Sequence, residues 1–261
     1  MKTSLIITTY NRKAALKYSV LSALSGKVLP DEIIIADDGS SDGTDELVKK
    51  IDEKASIPVI HSWQEDKGFR LSLSRNRALK KASGDLIIMV DGDMLLHPLF
   101  TADHIKFSEK GFFLQGSRVL LKRDITEKII SGEPCKINLF KMKNIKNAIY
   151  SPFLARLTTK REKTDLKKTR GCNMSFWYED VRRINGFNNK FISWGREDSE
   201  FVARLYNAGI KRRFLKFAGI QYHLYHPEGK AINSNEELLE ETIENKVVAC
   251  RDGLAQCMEE R

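Results

Sequence analysis

The chain is poor in cysteine and proline, with four and six in 261 residues. Cys135, Cys172, Cys250 and Cys257 have neither zinc-site spacing nor the density of a disulfide scaffold. A reducing, cytosolic setting is expected from that pattern. No apolar run approaches the roughly eighteen residues that a membrane span needs. The apolar stretch Leu5-Ile6-Ile7 near the start is too short for a signal core, lacks a small-residue cleavage site and reads as a first strand. No Gly-x-Gly-x-x-Gly or P-loop follows that strand, which argues against a conventional dinucleotide or ATP site. Acidic residues are also in deficit, with 35 against 44 Lys and Arg, for a net charge of +9. Such a balance implies an acidic partner: nucleic acid, anionic headgroups or a phosphorylated substrate. The excess is uneven. From Lys136 to Arg170 there are eleven basic residues and two acids, Glu162 and Asp165.

What is present is organised around Leu86-Ile87-Ile88-Met89-Val90-Asp91-Gly92-Asp93-Met94. Five apolar residues read as a buried strand that delivers two carboxylates to the carboxyl edge of a sheet, where open α/β folds bind ligands. Carboxylates this close repel one another unless a cation or proton intervenes, so a hard divalent ion is a natural partner. An acidic turn would explain one Asp-x-Asp by itself. A second apolar run, Ile33-Ile34-Ile35-Ala36, also ends in acids, at Asp37 and Asp38. Strands alternate with helical patterns carried by Ala15, Leu16, Val20, Leu21 and Leu24, by Leu47, Val48 and Ile51, and by 74–82, which predicts an α/β fold with a mostly parallel central sheet flanked by helices. Both acidic tips then lie at one edge.

Further along, 111–117 and 119–121 read as strands, and helices are expected near 124–131 and 137–149. The stretch 150–168 reads as a polar, basic, mobile loop of the kind that often serves as a lid or binding segment. Order returns over 169–177, and a short helix at 178–184 and a helix after Asp198 follow, with Asp198 as the alternative N-cap. The organisation expected is a first half over 1–121, a basic insertion over 122–168, a second half over 169–228 and a helical tail over 229–261.

Thr8-Thr9-Tyr10-Asn11-Arg12, Asp37-Asp38-Gly39-Ser40-Ser41-Asp42-Gly43-Thr44, Arg75-Asn76 and Asp91-Gly92-Asp93 together resemble the N-terminal half of family 2 glycosyltransferases with the GT-A fold. Gly171-Cys172-Asn173-Met174-Ser175, Asn185-Gly186-Phe187, Trp194-Gly195-x-Glu197-Asp198 and a late histidine resemble a segment shared by galactosyltransferases and bacterial chondroitin-type polymerases. The likeness covers about residues 3–121 and 169–228.

The resemblance implies an inverting, metal-dependent transfer from a UDP-sugar of the Gal, GalNAc, Glc or GlcA type. Thr8, Tyr10, Arg12, Asp37 or Asp38, Arg75 and Asn76 would contact the nucleotide. Asp93 would ligate Mn²⁺ or Mg²⁺, with Asp91 on the ribose or a metal-bound water. His223 would complete the shell, with His226 as the alternative. Asp198 would be the base and Glu197 would bind the acceptor, while Trp194, Gly195 and Asn173 would face the sugars. Arg196 departs from the pattern, where glycine is commoner, and would meet an anionic sugar.

The expected acceptor is a bacterial surface glycan or glycolipid, such as a lipopolysaccharide core or a capsule chain. The basic segment would then make peripheral contact with an anionic membrane at its cytoplasmic, inner face. No nucleic-acid partner is expected, since no recognition motif accompanies the charge. A nucleic-acid-binding protein and a metal-dependent nucleotidyltransferase are the competing readings. The second leaves the Trp-Gly-x-Glu-Asp segment without a use.

Overall fold

The computed structural model describes residues 1–133, 142–159, 162–167, 169–227 and 235–257. Four strands form its first half: β1 (Thr3–Thr9), β2 (Glu32–Asp37), β3 (Val59–Trp63) and β4 (Leu86–Asp91). Successive side chains of a strand point to opposite faces, so a run apolar at every position feeds two cores. Ile6, Ile34, Ile87 and Met89 enter one cluster, while Leu5, Ile7, Ile33, Ile35, Ile88 and Val90 enter the other. Helices α1 (Lys13–Leu24), α2 (Thr44–Asp52) and α4 (Phe100–Phe107) supply Leu16, Val20, Val48 and Phe100 to the second cluster. Helix α3 (Leu71–Lys81) supplies Ala78 and Leu79 to the first.

The remaining strands are β5 (Met94–Leu96), β6 (Phe112–Gln115), β7 (Val119–Leu120), β8 (Glu162–Lys163), β9 (Asn173–Trp177), β10 (Lys211–Phe214) and β11 (Gln221–His223). The main sheet has the order β3-β2-β1-β4-β9-β6-β10-β8. The first four strands are mutually parallel. Strand β9 runs against both β4 and β6, and β8 runs against β10, so the sheet is mostly parallel. A second sheet, β5-β11-β7, pairs Met94 with His223. That pairing sets a histidine beside the acidic end of β4.

The helices of the second half are α5 (Arg123–Ser131), α6 (Pro152–Thr158), α7 (Tyr178–Arg183), α8 (Glu197–Asn207) and α9 (Glu236–Glu244). The structure corrects three expectations here. The basic stretch 150–168 is not loop throughout, because α6 lies within it and β8 adds an edge strand. The signal for α6 was Ser151 followed by Pro152: the Ser151 side chain accepts from the Leu154 N–H, and proline occupies the first turn. Of the helix expected over 137–149, only a short 3₁₀ turn at Ile145–Ala148 falls in the described residues; 134–141 lie outside them. Among the described residues of the C-terminal tail, only α9 is helical. Beyond it residues 245–257 pack back without regular structure, burying Cys250, Leu254 and Cys257.

Candidate active site

The carboxyl ends of β1, β2 and β4 open into a cleft of about 1140 Å³. Thr8, Tyr10, Arg12, Asp38, Arg75, Asp91 and Asp93 line it from the first half. Trp194, Gly195, Arg196, Glu197, Asp198, His223 and His226 line it from the second. Three residues of the sequence expectation do not reach it. Asp37 is fully buried, accepting from His61 Nε2 at 2.9 Å and the Ser40 N–H at 2.8 Å. Asn76 spans from α3 to the 187–189 segment, donating to the Phe187 carbonyl and Asn189 Oδ1 while accepting from the Phe187 N–H. Asn173 donates to the Ser117 and Gly219 carbonyls and accepts from His104. Each satisfies buried main chain that would otherwise be orphaned. The structure thus makes these three struts rather than lining residues.

Asp93 sits where three cationic or metal-binding side chains converge. Arg12 Nη1 approaches its Oδ2 at 2.6 Å, His223 Nε2 at 3.4 Å and His226 Nε2 at 3.3 Å. The carboxylate is buried, which by itself raises its pKa, but hydrogen bonds from the two histidines and the Arg12 charge hold it below the usual carboxylate range. Its second oxygen, Oδ1, is buried without a hydrogen-bond partner. One carboxylate and two imidazoles whose ligand atoms lie within 4.8 Å of one another form a set that could hold a metal ion. The unpaired Oδ1 fits such a use, and two imidazoles suit a transition ion such as Mn²⁺ better than the all-oxygen preference of Mg²⁺. His226, the alternative in the sequence reading, stands as close as His223. Asp91 is outside this group. It accepts from Thr8 Oγ1 at 3.2 Å, and burial and the neighbouring Asp93 charge push its pKa up, while Arg75 opposes them.

The opposite end of the cleft is built by α8. Arg196 precedes the helix at φ +72°, the left-handed region that favours glycine and the physical reason an arginine is unusual there. Its guanidinium is held by Glu236 at 2.6 Å, so the charge expected to meet an anionic sugar already has a partner. Asn235 braces the same loop by donating to the Ser193 and Gly195 carbonyls. Asp198 lies in the first turn of α8, not at its cap. Its Oδ1 accepts from Arg75 Nη1 at 2.8 Å and its Oδ2 from the Gly171 N–H at 2.6 Å. A Cβ on Gly171 would overlap this carboxylate. Glu197 faces the same guanidinium at 3.6 Å. Its pKa is raised by burial and by the Asp198 charge, against the pull of Arg75. At the end of β2 Asp38 accepts from Gln64 Nε2 and from the Arg70 N–H at 2.8 Å, and burial pushes its pKa up to about 6.

Comparison with known proteins agrees with this geometry. The family model "Glycosyl transferase family 2" matches residues 4–168. The chain belongs to glycosyltransferase family 2. A second model, "N-terminal domain of galactosyltransferase", matches residues 151–227. Escherichia coli chondroitin synthase is 25% identical over 255 residues, covering 87% of this chain and 35% of that protein. Pasteurella multocida hyaluronan synthase is 24% identical over 251 residues, covering 90% and 25%. The chain therefore spans about a third or less of these relatives. Among solved structures, S. aureus TarS 1-349 in complex with UDP-GlcNAc superposes at TM-score 0.67 and 17% identity, covering 98% of this chain and 69% of that one. The mannosyltransferase PcManGT of Pyrobaculum calidifontis, with GDP-Man and Mn²⁺, superposes at 0.58 and 15%, covering 93% and 69%. The fold is the GT-A fold of these enzymes.

Sequence reasoning missed several residues of the site. Gly171 belongs to a sequence motif, but its clearance for Asp198 is visible only in three dimensions. Asn235 and Glu236, the brace of the Trp194 loop, are the N-cap and first residue of a recognisable helix and carry no other signal. Arg118, on the turn between β6 and β7, lines the cleft beside Cys172.

Proposed function

We propose that this family 2 enzyme moves a sugar from a UDP-sugar of the Gal, GalNAc, Glc or GlcA type to a hydroxyl of a surface glycan, with metal assistance and inversion. A lipopolysaccharide core or a capsule chain is the acceptor class we favour. The observation that carries the reading is the union, in one cleft, of the Asp93–His223–His226 group and the Arg75–Asp198 pair. The solved TarS complexes with UDP and UDP-GlcNAc support a uridine donor, and the PcManGT complex with Mn²⁺ supports a metal.

Asp93, His223 and His226 would hold Mn²⁺ or Mg²⁺, whose charge would stabilise the leaving diphosphate. Asp198 accepts the proton of the attacking acceptor hydroxyl. Arg75 and the Gly171 N–H fix its two oxygens, so the carboxylate needs no reorganisation as the hydroxyl arrives. Glu197, whose raised pKa favours the protonated form, offers a hydrogen bond to the acceptor. Trp194, half exposed at the rim, presents an apolar face for a sugar ring. Thr8, Tyr10, Arg12 and Asp38 surround the place for uridine. A single displacement from the face opposite the diphosphate converts an α-linked donor into a β-linked product.

Contact with an anionic membrane surface is part of this proposal. Helix α6 buries Ala155 but exposes Phe153 and Leu157, and Ile149 is exposed just before it. Lys143, Lys146 and Arg156 share this segment, and no acid occurs from Lys136 to Arg161. An exposed apolar face on a segment rich in cations suits the interface of an acidic bilayer. No helix among the described residues is long and apolar enough to cross one.

Calorimetry with UDP tests the donor reading. Mn²⁺ is expected to tighten UDP binding and Asp93→Ala to abolish that gain. Absence of UDP binding under either condition would refute it.

A further inference from the structure

The cleft holds more positive charge than its carboxylates answer. Arg12 is paired with Asp93, Arg75 with Asp198 and Arg196 with Glu236, and Arg123 reaches Glu127. Among the described residues, Arg118, Lys122, Lys143 and Arg170 line the same cleft without a carboxylate partner. Arg118 is half-buried, with its Nε buried and lacking a hydrogen-bond partner. Its Nη1 meets the Cys172 thiol at 4.0 Å, and a thiol does not neutralise a guanidinium. The Asp91 carboxylate feels the Arg118 charge without bonding it, and a half-buried cation that no carboxylate bonds gains from an anionic ligand.

These four residues come from separate segments that the fold draws together. The Leu121 N–H donates to the His223 carbonyl at 3.0 Å, and the Leu120 N–H to the Lys143 carbonyl at 3.4 Å. Lys122 and Lys143 therefore stand on the wall beside the histidine pair. Arg170 adjoins Gly171, whose N–H holds Asp198. The cations run from the histidines toward Asp198. An acceptor hydroxyl must approach Asp198 to be deprotonated, so charge next to Asp198 faces the acceptor.

We propose that Arg118, Lys122, Lys143 and Arg170 form an anion subsite that takes a carboxylate or phosphate on the acceptor, so that the enzyme extends acidic glycans. The inference rests on the transferase reading of the same cleft. The sequence pointed to Arg196 for this task, but Glu236 engages it. Lys143 and Arg170, both from the basic stretch, carry it instead.

The donor diphosphate is the other anion that such cations could serve, and the test separates the two. Binding is measured with UDP and Mn²⁺ present, using three probes. They are a glucuronate-containing tetrasaccharide, the same tetrasaccharide with its carboxylates reduced to alcohols, and a hexose 6-phosphate. The full chain is compared with the double variant Lys143→Gln, Arg170→Gln, both of whose sites are exposed and so spare the fold. The expected result is at least a tenfold preference for a charged probe over the reduced one, weakening with salt. The double variant loses that preference while UDP affinity changes less than twofold. Equal loss of UDP affinity with the probe preference kept would assign these cations to the donor and overturn the subsite. No saturable binding of either charged probe, with UDP still bound, would overturn it and spare the transferase reading. Loss of UDP binding by the unmodified chain would instead refute the transferase reading.

Discussion

Arg75 and Asp198 stand 123 residues apart in the chain, and their side chains meet at 2.8 Å. Arg75 is 1% exposed, its guanidinium 4.9 Å above the Phe187 ring and also facing Glu197. A strand-proximal helix and the first turn of α8 are thus locked by one buried cation between two acids.

Removing either partner has different consequences. Arg75→Met leaves two carboxylates facing each other and is expected to cost about 3 kcal/mol of stability, the usual range for a broken buried pair. Asp198→Asn leaves Arg75 paired with Glu197, so urea denaturation should change little. Turnover should nevertheless fall by about 10² to 10⁴, the share a positioned base contributes. Equal turnover in Asp198→Asn and the parent chain would contradict the assignment of the base.

Gly171→Ala tests positioning without replacing a charged group. The added methyl overlaps the Asp198 carboxylate and must displace it. Turnover is expected to drop about a hundredfold, as for misplacement of a reacting group by about 1 Å. UDP affinity should stay within a factor of two. A variant as active as the parent would show that Asp198 tolerates displacement and is not the base.

His104 makes stability depend on pH. Asn173 commits its Nδ2 to two carbonyls, so its Oδ1 must accept, from His104 Nε2–H, and His104 Nδ1 then accepts from Ser175 Oγ. The ring is buried and neutral, its pKa lowered from 6.5 to about 4. Above pH 6.5 neither state binds the proton and there is no penalty. Below it the unfolded chain takes up a proton that the folded chain refuses, so stability falls until about pH 4. The difference amounts to about 2 kcal/mol between pH 7 and pH 5. Urea midpoints should show that much extra acid sensitivity in the parent chain over His104→Gln. Parallel pH profiles would remove His104 from the account.

Membrane contact is read by co-sedimentation with vesicles. Acidic phosphatidylglycerol vesicles should retain the chain at low salt, and zwitterionic ones should not. Phe153→Ser with Leu157→Ser should lower retention about tenfold, since both side chains point to solvent and the fold does not need them. Retention unchanged by the pair would place contact elsewhere; no retention at all would remove the membrane from the proposal.

Much of this architecture was legible in the sequence because its signals are local. The runs at Leu5, Ile33 and Leu86 are apolar at every position, as strands covered on both faces must be, and each ends in the polar residues that line the cleft. His223 was foreseeable because it follows a strand-like run. That His226 is equally close depends on how the chain turns after β11. Asn76 and Asn173 mislead for a physical reason: polar residues within motifs serve buried main chain as readily as ligand. Helix α6 was hidden by its basic flanks, although Ser151-Pro152 marked its start. The pairing of Arg75 with Asp198, and of Arg196 with Glu236, is a matter of tertiary contact that no spacing rule reveals.

The most direct test of the central claim is UDP release from a panel of UDP-Gal, UDP-GalNAc, UDP-Glc, UDP-GlcNAc and UDP-GlcA, with Mn²⁺ or EDTA, beside Asp93→Ala. The account predicts release from one donor that requires metal and vanishes in the variant. Release that is indifferent to EDTA and to Asp93→Ala, or none from any donor with acidic glycan acceptors present, would contradict it.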